Sequence, residues 1–552
     1  MSKKLNHRFN RRQFLQWTGG ASAVAFLAAC APAAAPTGGS EEGTTTEASG
    51  STESASGGGT MIWVGHQEVS GLSPNDAGPT VQWAMISNIH DPMLLLDENY
   101  ELIPTLAESY EATPDGLSYT FKLRQGVKFH DGTDFTAKDV KYTFEFYADA
   151  ETGSTLANNF QGMESVEAPD DYTIVITMAQ PNAAFLVNAA TSWIVPADYH
   201  AEVGEDTYRT APIGTGAFKL KEWVAAEYTL LEANEDYFLG RANVDFLRQE
   251  VVPEPSVRAI ALETGDAHYA TWPLLVEDSI RLRDSGEGYQ VFATPANSVK
   301  HFPLNNDNPV LSDKRVRQAM MHALDRQRII DDLWNGAAEI ATANLTPSAP
   351  YYNPNVKTYD YNPDTAMALL EEAGWTVGDD GVREKDGAKL SFTCTTITGD
   401  QARRPIAELA QQLFKEVGIE MLLEEAPVAS ITEAMRKGEM DASLYNWTYG
   451  SAVDPDASTT LRSDGANNFS HFKNDRVDEL MDAGLVEIDP EKRRQYYDEI
   501  QEIVAEEVPF LFLQYDSWFD VFRPEVTGLP EPGSVKNANR LMIKGRTMGL
   551  SA

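Results

Sequence analysis

The sequence predicts an α/β protein, and three observations carry that reading. Past Gly59, short alternating runs that suit half-buried strands are interspersed with amphipathic runs at helical spacing. At 552 residues the chain is too long for one small core, which points to two to four domains. Its 42% hydrophobic and 23% charged residues are ordinary for a globular protein.

Taken in order, Tyr119 to Arg124 alternates like a strand with one buried face. Thr136 is placed to cap a helix, with Asp139 at its third position and Val140, Phe144 and Tyr147 on one face. Ser312 to Asn335 reads as one long helix, with Val316, Met320, Ala323, Leu324, Ile330 and Leu333 on its apolar side and Gly336 closing it. Pro363 opens a further helix that Gly374 ends. Cys394 falls in an alternating run from Leu390 to Ile397, as a small buried strand residue. Glu420 to Glu425 and Asp441 to Trp447 read as strands, and Ser430 to Glu433 has the form of a capping box. Helices near 475–487 and 490–507 precede a buried strand, Val508 to Tyr515.

The N-terminus reads as an address. Asn10-Arg11-Arg12-Gln13-Phe14-Leu15 resembles a twin-arginine export motif, with Asn10 where Ser or Thr is usual. The weakly apolar stretch Thr18 to Ala29 is far shorter than the roughly 20 residues that cross a bilayer. It ends in Leu27-Ala28-Ala29-Cys30, which resembles a bacterial lipobox, so Cys30 is the expected lipidation site. Residues 31–60 hold Ala, Pro, Gly, Ser, Thr and Glu with little to bury, and are expected to form a disordered tether reaching roughly 30 Å. With Cys30 lipidated, Cys394 has no partner for an intrachain disulfide.

The net charge is −39, and the first 30 residues carry five cations and no acid. A body this acidic is repelled by nucleic acid and by anionic lipid, so neither is an expected partner. No Gly-x-Ser-x-Gly, His-Glu-x-x-His, Cys-x-x-Cys or Walker A pattern occurs, and the nine histidines lack metal-ligand spacing. The expectation is therefore no catalytic residue, no metal and no cofactor.

An ordered set of segments resembles the family 5 extracellular solute-binding proteins, the dipeptide-, oligopeptide- and nickel-type components of ABC importers. It comprises Leu106 to Tyr110, Asp115 to Arg124, Gly126 to Gly132, Phe135 to Val140, Pro212 to Lys219 with its Gly-Thr-Gly turn, Asp313 to Met320 with Ala323 to Arg326, and Asp441 to Trp447 followed by Asp454-Pro455. The resemblance implies a two-lobed periplasmic-binding-protein-like fold, type II, cluster C, with an extra domain inserted in lobe I. On that template 1–30 is the signal, 31–60 the tether, and 60–100, 210–295 and 525–552 form lobe I. Residues 101–209 form the inserted domain and 296–524 lobe II. The implied action is hinge closure on a small or oligomeric solute, which a monomer then presents to the transmembrane subunits of a permease.

Trp447 is the foremost candidate for solute contact. It ends an apolar strand before polar turn residues, although a core tryptophan is the alternative. Tyr445, Asn446 and Tyr449 flank it, and Asp454 follows as part of the acid–proline element. Trp63, His66, Asn305 and Trp272 are further candidates, each equally compatible with packing. In peptide-binding relatives an aspartate three places beyond this tryptophan pairs with the solute's ammonium. Here that place is Gly450, which argues against a simple free peptide unless another acid substitutes. The ligand expected is an oligosaccharide or something peptide-like. Alternatives are a surface glycosidase, which needs two facing carboxylates, and a chaperone-like binder of unfolded segments. The expected location is the outer face of the cytoplasmic membrane.

Overall fold

The computed structural model describes residues 58–75, 80–97, 100–270, 274–400, 402–448, 453–531 and 545–551. Cys30, Arg11, Arg12, Trp272, Tyr449 and Gly450 lie outside them.

Local pattern becomes structure as expected through the first half. The strand Ser118–Leu123 buries Tyr119, Phe121 and Leu123 and leaves the alternate residues more exposed. The helix Ala137–Ala148 buries Val140, Phe144 and Tyr147, and the Thr136 backbone N–H donates to Asp139 Oδ2 at 2.8 Å. An antiparallel four-stranded sheet, in the order Ala107–Ala112, Ser118–Leu123, Thr173–Met178, Met163–Asp170, packs with this helix into a core of its own. That core reaches back to Met93 and Leu94. The Gly-Thr-Gly turn is a close approach of two backbones. A Cβ on Gly214 or Gly216 would collide with the carbonyls that end the helix Thr80–Ile89, and the Gly216 N–H donates to Ile89 O at 2.9 Å.

A nine-stranded mixed sheet among the described residues organises the rest. Its order is Tyr445–Thr448, Gln290–Pro303, Phe510–Phe522, Tyr269–Ala270, Thr60–Gly65, Phe246–Val251, Tyr228–Ala233, Phe218–Val224, with Glu339–Ile340 also on Phe510–Phe522. Gln290–Pro303 and Phe510–Phe522 pair antiparallel along nearly their whole length. At 14 and 13 residues each spans about 45 Å. Phe292 and Phe522, at one end, belong to a core with Met61, Trp63, Leu231 and Leu247. Phe302, Leu511 and Leu513, at the other, belong to a core with Met320, Phe392 and Phe414. The two strands therefore cross from one core to the other, and their register shifts between Pro295 and Val299, at the joint.

Four expectations need correction. The long helix over 312–335 is two, Lys314–Ala323 and Arg326–Trp334. Asp325 breaks the run by capping the second, its carboxylate accepting from the Arg328 N–H at 3.0 Å. Ser430 opens no helix, because Val428–Lys437 has already begun after Pro427. The run Asp441 to Trp447 divides at Leu444: Ala442–Ser443 pairs with Ser391–Ile397, and Tyr445–Thr448 with Gln290–Pro303. The last strand runs beyond Tyr515 to Phe522. Cys394 is fully buried and free, its thiol pushed up to about 12 by burial.

Candidate functional site

The joint of the two crossing strands is where polar chemistry enters the interior. Strand alternation puts Gln514, Asp516, Trp518 and Asp520 on one face of Phe510–Phe522. Across the pair stand Ser298 and Lys300. Lys300 Nζ meets Asp516 Oδ1 at 2.9 Å with both side chains buried, and lies 4.7 Å from the centre of the Trp334 ring. Ser298 Oγ and Gln514 Nε2 donate to the same carboxylate at 3.3 and 3.1 Å. The Lys300–Asp516 pair is thus held by further donors, as a buried ion pair requires.

Asn446 joins this face. Its Nδ2 donates to Ser298 Oγ at 3.4 Å, and its Oδ1 accepts from Arg403, which also pairs with Asp400. His301 sits behind, bonded through Nδ1 to Val299 O, with burial lowering its pKa to about 4.

Several polar atoms on or beside these strands are buried without a partner: both amide atoms of Asn297 and Gln514 Oε1 at the joint, Asp520 Oδ2 towards one end, and Arg403 Nε at the start of the helix Arg403–Glu416. Buried polar atoms in folded proteins nearly always have partners, and each orphan costs about 1–3 kcal/mol. A group of them on the two long strands that, among the described residues, link the two cores marks a place that a polar solute can complete.

The structure sorts the expected residues. Trp447 and Tyr445 share a face and are half-buried, edge-on to Phe469 at 6.1 and 5.5 Å between ring centres. Their neighbour Asn446 therefore points the other way, to the polar joint. His66 is half-buried immediately past the strand Thr60–Gly65. Trp63 is 0% exposed and stacks on Tyr269, 5.7 Å between centres, so it is core rather than cleft. Asn305 spends its amide on the chain: Nδ2 donates to Gly438 O, and Oδ1 accepts from the Asp307 N–H. Asp454 pairs with Arg493 at 2.8 Å, both side chains buried, and is structural. Lys300, Asp516, Asp520, Asn297, Gln514 and Arg403 were not anticipated. The available signal was a charge or amide at alternate positions of a strand otherwise apolar enough to be buried.

Among the described residues no three His, Cys, Asp or Glu side chains gather to hold a metal, and no helix is long and apolar enough to cross a membrane.

Comparison with known proteins gives these features a context. Residues 101–469 match the family described as bacterial extracellular solute-binding proteins, family 5, middle region. The oligopeptide-binding protein AppA of Bacillus subtilis is 30% identical over 432 residues, covering 76% of this chain and 79% of that protein. NikA from Brucella suis, solved with Fe(III)-EDTA, superposes with a TM-score of 0.80 at 26% identity, covering 89% of this chain and 100% of that one. The ABC transporter-associated periplasmic binding protein DppA of Helicobacter pylori, solved with the peptide STSA, gives 0.74 at 26% identity, covering 90% and 99%. The architecture is accordingly the two-lobed α/β fold of periplasmic binding proteins. With the family match spanning more than half of its length, the chain belongs to the bacterial extracellular solute-binding proteins of family 5.

Proposed function

We propose that this chain captures peptide-like solutes outside the cytoplasm and delivers them to the permease of an ABC importer. The observation that carries the reading is the polar joint, where partnerless buried atoms line the two strands that link the cores. A solute that satisfies those atoms stabilises the closed arrangement of the lobes by its differential affinity for closed over open. AppA and DppA supply the peptide class. The oligosaccharide reading rests on aromatic content alone and is set aside, as is the glycosidase.

We propose the domain division stated above, 60–100, 210–295 and 525–552 against 296–524 with 101–209 inserted, and the separate cores support it. Asn446 and His66 are proposed as the solute's neighbours, with Tyr449 and Trp272, and Trp447 and Tyr445 are proposed to reach it from the other face of the edge strand Tyr445–Thr448. Export through the Arg11-Arg12 signal and lipidation at Cys30 would hold the monomer at the outer face of the cytoplasmic membrane, beside its permease.

The test is thermal denaturation with a pool of tri- to hexapeptides, a pool of oligosaccharides and metal chelates. A rise in Tm with peptides alone is expected. A rise with sugars or chelates and none with peptides sinks the peptide assignment.

A further inference from the structure

The inserted domain rides on lobe I. The Leu94 and Ile194 N–H groups donate to Ala190 O and Asp91 O, the His130 N–H to Gly214 O, and Thr155 Oγ1 to Asn75 O. Its apolar core runs on into Met93 and Leu94. These bonds cross the boundary at several separate places, so the two move as one body.

The same domain also touches lobe II, through two short segments. The Ala183 N–H donates to Leu485 O at 3.0 Å. Leu485 lies in the last turn of the helix Asp475–Val486, where carbonyls lack a partner within the helix. The inserted domain thus caps a helix that belongs to the other lobe. Beside it, the turn 113–118 presents Gly116, which is buried although Thr113, Pro114 and Asp115 before it are exposed. A Cβ at Gly116 would stand 3.0 Å from Ile488 Cγ2 and 3.5 Å from Pro181 Cβ, so these two side chains cover it. Ile488 is firmly placed. Glu487 ends one helix and Asp489 caps the next, Pro490–Glu507, so Ile488 stands on a short turn between two helices.

We propose that the inserted domain is a clasp, whose turn 113–118 and segment 181–184 grip the helix end 485–488 of lobe II and hold the two lobes closed. Neither segment belongs to the strands that join the lobes, so lobes that swing apart about that joint must part here. The grip is small: one backbone hydrogen bond, and an isoleucine still 38% exposed. Such a contact biases an equilibrium without locking it. The proposal rests on the domain division and the capture by closure given above, and it assigns the inserted domain a part in that closure. None of the gripping residues is a proposed neighbour of the solute. Losing the clasp should therefore weaken all solutes by one common factor and leave their order of preference unchanged.

The experiment compares the mature protein with its Ile488→Asp variant and with a paired variant, Gly116→Cys with Ile488→Cys. A sulfur in place of Ile488 Cγ2 would lie 3.0 Å from the new Cβ at 116, a span that suits a disulfide. A cysteine at 116 is strained by the positive φ of 68° there. The oxidised and reduced forms share that strain and are compared with each other. Cys394 is fully buried and does not compete.

Small-angle X-ray scattering without any solute should find the oxidised pair more compact than I488D. In titrations with individual tri- to hexapeptides, I488D should lose ~5-fold in affinity for each. The oxidised pair should lose binding and regain it on reduction. Equal radii of gyration for the oxidised pair and I488D, or failure of the pair to cross-link, overturns the clasp. So does an oxidised pair that binds peptides as its reduced form does, because the contact would then be a pivot present in the open state as well. A changed order of preference in I488D would place Ile488 against the solute and overturn it too. A wild type that binds no peptide retires the peptide reading, and the scattering comparison then decides the clasp by itself.

Discussion

Trp447 and Asp454 stand in the same short stretch of chain, yet the structure gives them opposite consequences. Trp447 is half-buried and touches Phe469 by one ring edge, so its removal leaves no large cavity. Trp447→Ala should weaken solute binding by roughly 30-fold, about 2 kcal/mol, and lower unfolding stability by clearly less. Equal losses, measured by calorimetry and urea denaturation, would make it a core residue. Asp454→Ala should do the reverse. It strands the buried Arg493 guanidinium, which costs about 3–5 kcal/mol of stability, while intrinsic affinity for the solute stays close to wild type. Legibility at this scale was uneven. Sequence reading singled out Trp447 and Asn446 because they end an apolar strand, but it missed Lys300, Asp516 and Asp520. A charged residue in an apolar run reads as an interruption until its cross-strand partner is known.

At the scale of elements, the divided helix is the clearest lesson. The apolar spacing from Val316 to Leu333 continues through the break, because both helices bury the same kind of face. Only the Asp325 side chain, folding back on the Arg328 N–H, reveals that one helix has ended and another begun. Asp325→Ala should cost about 1 kcal/mol, read as a lower denaturant midpoint with an unchanged slope, and Asp325→Asn should restore most of it. An unchanged midpoint in the alanine variant would show that the cap contributes nothing. The division of the run Asp441 to Trp447 has the same character. Its residues favour strand throughout, and which sheet each half joins depends on Ser391–Ile397 and Gln290–Pro303, strands far away in sequence.

For the whole molecule, buried ionisable groups set opposing pH limits. His90, His130 and His301 are held neutral by burial, with pKa values lowered to about 3, 4 and 4. Their contribution is complete above the unfolded value of about 6.5 and is lost as pH falls towards 4. Asp91 and Asp520 are raised to about 6 and about 8. Theirs is complete below the ordinary carboxylate range and is lost as pH rises through 6 and then 8. The Tm of the empty protein should therefore peak between these flanks and fall on both sides, and Asp520→Asn should flatten the alkaline flank. A wild-type Tm that still climbs above pH 8 would contradict this balance. At the N-terminus, mass spectrometry of protein extracted from membranes should find a lipid-modified Cys30 as the first residue. Full-length protein in the cytosol would refute the proposed export.

The sequence by itself determined the α/β class, the family, the strand and helix pattern from Ser118 to Ala148, and the candidate export and lipid signals. Each of these lies in local periodicity, capping chemistry or contiguous motifs, which short stretches of chain specify on their own. Only the tertiary structure decided that Trp63 is core, that Asp454 belongs to Arg493, and that two strands more than 200 residues apart meet to carry a polar joint between two cores. Burial and the presence or absence of a partner are properties of what packs against a residue. For Asp520, that surrounding is supplied by strands distant in the chain.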